Sequence, residues 1–61
     1  MDEITARLLV KMVMKTLDDD ALVALFAARS PLRQTHIVRL ALNLDFSEAK
    51  ELWKAFRILA S

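Results

Sequence analysis

The stretch Ser30-Pro31-Leu32-Arg33-Gln34-Thr35-His36-Ile37-Val38-Arg39-Leu40-Ala41-Leu42-Asn43-Leu44-Asp45-Phe46-Ser47-Glu48 reads as one whole helix, its stop and the start of the next. Ser30 offers a hydroxyl N-cap, and Pro31 takes the first helical position, where its missing N–H costs nothing. The helix is expected from Pro31 to about Leu42, with Ile37, Val38, Leu40, Ala41 and Leu44 on its apolar arc. Thr35, His36, Arg39 and Asn43 fall on the opposite face. Asn43 is expected in the left-handed conformation that glycine usually takes after a helix. Asp45-Phe46-Ser47-Glu48 then has the spacing of a capping box, in which the Asp45 carboxylate accepts from the backbone and Glu48 reaches back.

Toward the C-terminus, the helix opened by that box is expected to run to about Leu59. Ala49, Leu52, Trp53, Phe56, Leu59 and Ala60 form its apolar stripe, with Lys50, Lys54 and Arg57 outside. Toward the N-terminus, Asp18, Asp19 and Asp20 precede the apolar run Ala21 to Ala28, which its alanine content marks as a short buried helix. One Asp caps that helix and the others favour its positive end. Calcium binding is set aside for the triplet, because it lacks the alternate ligand spacing and the glycine of a calcium loop.

Residues 4 to 17 read as the first helix. Its cations Arg7, Lys11 and Lys15 recur every four residues, while Ile4, Leu8, Leu9, Val10, Met12, Val13, Met14 and Leu17 occupy most other directions. A helix apolar on nearly all sides needs cover on nearly all sides. A chain this small supplies one layer, so Leu8, Leu9, Met12 and Val13 are the candidate dimer interface, with the methionines as adaptable packing residues. The fold expected is a single all-α domain over residues 1–61, a compact bundle of about four short helices that pairs as a homodimer.

Composition narrows the function classes. The 61 residues are 56% hydrophobic and 28% charged, with no glycine, no cysteine, one proline and one histidine. Without glycine there is no phosphate-cradling loop, dinucleotide fingerprint or EF-hand turn. Without cysteine there are no disulfides, and His36 alone makes no zinc site. Chains below about 70 residues usually need a disulfide, a metal or a partner subunit; here only the partner is left. The mean hydropathy of +0.31 agrees with apolar surface set aside for one.

The longest stretch free of charge, Ala21 to Ala28, is far short of the roughly 20 residues that span a bilayer. The opening Met1-Asp2-Glu3 is unlike a secretory signal, and Arg7, Lys11 and Lys15 interrupt the apolar residues after it. A cytoplasmic protein with no membrane partner is therefore expected. No cofactor, metal or catalytic residue is expected either. His36 lies on a polar helix face without a companion, and Ser30 and Ser47 are helix-start residues lacking a base and an oxyanion context.

The expected function is that of a small non-enzymatic regulatory or adaptor protein that acts by protein–protein contact as a homodimer, its other partner unidentified. Trp53, with Phe56, is the candidate anchor for such a partner, although its spacing with Leu52 reads first as core. The alternative is a dimeric DNA-binding transcriptional regulator. The two helices joined at Asn43-Leu44-Asp45 resemble the helix-turn-helix layout, with Leu42, Asn43, Leu44, Asp45, Ala49 and Leu52 at its buried, turn and capping positions. Arg39 departs from the small residue the motif prefers, and Asn43 from its turn glycine. In that reading Arg29, Arg33, Arg39, Lys50, Lys54 and Arg57 contact the nucleic acid, while Asp45, Glu48 and Glu51 repel phosphate.

Overall fold

Among the described residues, each of the four helices begins on a side chain that accepts a hydrogen bond from the backbone three residues on. In the computed structural model, which describes residues 1–60, Asp2 accepts from the Thr5 N–H at 2.7 Å, and Asp18 from Ala21 at 2.8 Å. Ser30 accepts from Arg33 at 3.1 Å. At the last start the bonds are reciprocal: the Glu48 N–H donates to Asp45 at 2.8 Å and the Asp45 N–H donates to Glu48 at 3.2 Å. These caps satisfy backbone donors that a helix start leaves unpaired. They delimit α1 (Glu3–Met14), α2 (Asp19–Ala27), α3 (Pro31–Leu42) and α4 (Phe46–Ala60).

The stops follow local chemistry. Asn43 takes φ 54° and ψ 49°, and the Leu44 N–H turns back to the Arg39 carbonyl at 3.1 Å, ending α3 as its sequence requires. α1 ends three residues before the expected Leu17. There the Thr16 hydroxyl and N–H both donate to the Val13 carbonyl, at 2.7 and 2.9 Å, drawing the chain into a turn. Leu17 is still buried, just beyond the helix. α2 begins at Asp19, two residues ahead of the apolar run, because the cap is the first aspartate of the triplet; Ala28 is already extended.

α4 is the central element. It packs against α1 and α3, and α2 packs against α3. The core joins Ala6 and Val10 of α1, Leu17, Leu25 of α2, Val38 of α3, and Leu52, Ala55 and Phe56 of α4. Ala6 and Ala55 are fully buried, so the closely packed α1/α4 pair is lined partly by small residues, which let helix axes approach. Ala55 lay outside the stripe read from the sequence, which put Ala60 inside; Ala60 is exposed.

The buried arc of α3 is rotated from the one expected. Thr35 and Val38 are buried and Leu42 half-buried, an i, i+3, i+7 set, whereas Leu40 and Ala41 face water. Counting apolar residues misplaced Thr35. Its hydroxyl donates to the Pro31 carbonyl at 2.7 Å, so the polar atom is satisfied within the helix. Trp53 also departs from expectation: Phe56 belongs to the core cluster, while Trp53 is half-buried and outside it.

Candidate interaction surfaces

α1 carries two apolar faces. Ala6 and Val10 point into the chain, and Ile4, Leu8 and Met12 form an i, i+4, i+8 row on the other side, 73%, 56% and 66% exposed. Arg7, Lys11 and Lys15 border the row, each one position before or three after a row residue, and Arg7 is held by Glu3 at 2.8 Å. Of the four candidate interface residues, Leu8 and Met12 stand in this outward row. Leu9 and Val13 turn toward α4, where they are half-buried against the core. They line a cleft of about 320 Å³ with Leu44, Leu52, Ser47, Glu48 and Glu51.

A second surface lies between α3 and α4. Leu32, His36 and Arg39 of α3 share an i, i+4, i+7 row, as do Phe46, Lys50 and Trp53 of α4. With Thr35 and Ala49 they line an open groove of about 530 Å³ that contains no carboxylate. Leu32 is 71% exposed and Phe46 82%. The Arg57 guanidinium sits over the Trp53 ring, 4.9 Å from its centroid, where the π-face attracts a cation. Sequence reasoning missed Leu32 and Phe46. The signal available was phase, since each is a large apolar residue in the first turn of its helix and off the arc that is buried.

The six basic residues of the nucleic-acid reading line three different clefts, and the Arg57 guanidinium also reaches Trp53 of the α3/α4 groove. Arg29 and Arg33 line the cleft between α2 and α3, with Ala24, Ala27, Ala28, Ser30, His36 and Ile37. Arg39 and Lys50 flank the α3/α4 groove, whereas Lys54 and Arg57 border a shallow depression with Met1 and Ile58. Lys54 also lies 3.4 Å from Glu51. His36 is exposed and adjoins both the cleft and the groove.

Among the described residues no cluster of three or more His, Cys, Asp or Glu side chains is arranged to hold a metal, and no helix is long and apolar enough to cross a membrane. The resolved electrostatic perturbation is at Asp2. The Thr5 backbone N–H, donating to its carboxylate, holds the Asp2 pKa below the ordinary aspartate value. No protein-family model, curated protein or solved structure matches the chain.

Proposed function

We propose that the chain is a small regulatory or adaptor protein of the cytoplasm, without chemistry of its own, that acts through protein–protein contact as a homodimer with α1 as its seam. The observation that carries this reading is the outward Ile4, Leu8, Met12 row, directly behind a face already committed to the core. Fully burying one such side chain is worth about 1.5–3 kcal/mol. Three from each copy are commensurate with the roughly 4–15 kcal/mol that association costs in lost freedom.

Charge favours an antiparallel seam. α1 begins with Asp2 and Glu3 and ends with Lys11 and Lys15. Antiparallel pairing sets the acidic start of one copy beside the basic end of the other, and the two helix dipoles oppose. Parallel pairing stacks like on like. Sedimentation equilibrium tests the seam: at micromolar concentration wild type is at least dimeric, and Leu8→Lys, with unchanged helicity, has lost the seam dimer and associates only at higher concentration. A folded wild-type monomer at that concentration overturns the reading.

The second reading, DNA binding through α3 and α4, draws its support from Arg39 and Lys50 beside a groove without carboxylates. Fluorescence anisotropy with duplex DNA across a salt series tests it. A phosphate binder loses affinity steeply as salt rises.

A further inference from the structure

Beside the α1 row, two further exposed apolar surfaces carry opposite charges. On α2 Asp19, Val23 and Phe26 share an exposed row, again i, i+4, i+7; Val23 is 69% exposed and Phe26 71%, Phe26 also bordering a pocket with Val10, Met14 and Phe56. Asp20 stands beside it, and the helix Asp19–Ala27 has no cation. The inward side of α2 is already used, with Leu25 in the core and Ala21 and Leu22 packed against it. On the α3/α4 groove the apolar residues are Leu32, Phe46 and Trp53, and the charged or titratable ones are His36, Arg39 and Lys50. One surface is an acidic helix face with two large apolar side chains. The other is an apolar groove with basic walls.

We propose that the α3/α4 groove receives the outward face of α2 from a second copy of this chain, Phe26 and Val23 entering between Leu32, Phe46 and Trp53 while Asp19 and Asp20 meet Arg39 and Lys50. This is helix-in-groove recognition, in which spaced apolar anchors give the affinity and bordering charges set orientation. Within one copy the contact is not made. α2 lies against the other flank of α3, where its cleft is lined by Arg33 and Ile37 and shares only His36 with the groove. Nucleic acid is the weaker fit. Leu32 and Phe46 present apolar surface with no phosphate partner.

The contact joins two different surfaces, so every copy both gives and receives, and together with the two-fold α1 seam it builds species larger than a dimer. It extends the proposed protein-contact function but does not depend on the seam, and the test separates them.

The experiment is sedimentation velocity on the full chain carrying Leu8→Lys, which removes the seam. This protein is expected to self-associate reversibly as its concentration rises. Adding Phe46→Glu, which spoils the groove, or Phe26→Glu, which spoils the α2 face, leaves monomers, with the apparent dissociation constant raised at least ~10-fold as for loss of an aromatic anchor. Mixing these two variants restores a one-to-one complex, since each retains the half the other has lost. Charge reversal behaves likewise: Lys50→Glu weakens the contact, and a donor carrying Asp19→Lys recovers it. Circular dichroism confirms that each variant stays helical, and Val23→Glu replaces Phe26→Glu if the latter does not. A Leu8→Lys protein that remains monomeric throughout, or a mixture that fails to associate, overturns the proposal. So does association that appears only on adding a single-stranded oligonucleotide. A wild type that stops at the dimer contradicts this contact and leaves the seam standing, whereas a wild type that behaves as the Leu8→Lys protein contradicts the seam alone.

Discussion

Ala6 and Leu8, two positions apart on α1, face opposite ways: Ala6 is fully buried against the bundle and Leu8 is 56% exposed. At roughly 100° per residue they diverge by about 160° around the helix. The same division separates Leu8 and Met12 from Leu9 and Val13 and gives the two pairs different expected behaviour. Leu8→Lys abolishes the α1-seam dimer and leaves each copy folded. Val13→Lys removes half-buried packing against the core and lowers the unfolding free energy of the chain itself, by about 1–2 kcal/mol. Urea titrations of both variants, read beside their sedimentation, distinguish the roles.

Trp53 and Phe56 are expected to respond unequally. Phe56→Ala empties a core position and costs about 3–5 kcal/mol. Trp53→Ala costs less, because the indole is half-buried and outside the core cluster. In the Leu8→Lys monomer at low concentration, acrylamide, an uncharged quencher, quenches Trp53 partially, and Arg57→Ala increases the quenching by uncovering the ring face. Self-association through the groove reduces it. Quenching as low as that of a fully enclosed indole contradicts the half-buried placement.

Much of the bundle was legible because its punctuation is local. Ser30, Pro31, Asn43, Asp45 and Glu48 act on backbone groups a few residues away, so their types and spacing were sufficient to place α3 and the start of α4. Which face is buried depends on neighbours distant in sequence. A threonine that satisfies its hydroxyl within its own turn enters the core at Thr35, and a leucine at Leu40 is left outside it. The groove shared by Phe46 and Leu32 was hidden for the same reason, since it exists only once α3 and α4 lie side by side. The row on α1 was anticipated as excess apolar surface, but its separation into Leu8/Met12 and Leu9/Val13 required the position of α4.

Asn43 makes a quantitative test of the α3 stop. Its φ of 54° lies where a β-branched side chain is strained. Asn43→Val is expected to cost about 1–2 kcal/mol, and Asn43→Gly to be neutral or slightly stabilising, as measured by thermal unfolding. Ser30→Ala, which removes the N-cap at the other end of α3, costs about 1 kcal/mol.

Acid should loosen the first turn of α1. The Asp2 pKa is depressed in the folded chain by the Thr5 N–H. Its contribution is complete above the ordinary aspartate range and is lost as pH falls through the lowered folded value. Hydrogen exchange at Thr5 therefore accelerates in that acidic window beyond the intrinsic pH effect. Asp2→Asn, which keeps an oxygen acceptor, removes this pH-dependent component.

The antiparallel α1 seam is tested most directly by engineered disulfides, to which the chain adds no cysteine of its own. In an antiparallel row centred on Leu8, Leu8 meets Leu8 and Ile4 meets Met12. Leu8→Cys is expected to form a covalent dimer under mild oxidation, and Ile4→Cys mixed with Met12→Cys to form the mixed disulfide in preference to either same-residue pair. Preferential Ile4→Cys and Met12→Cys self-pairs would reverse the direction of the seam. Cross-linking no faster than that of an exposed Arg33→Cys control would contradict the seam altogether.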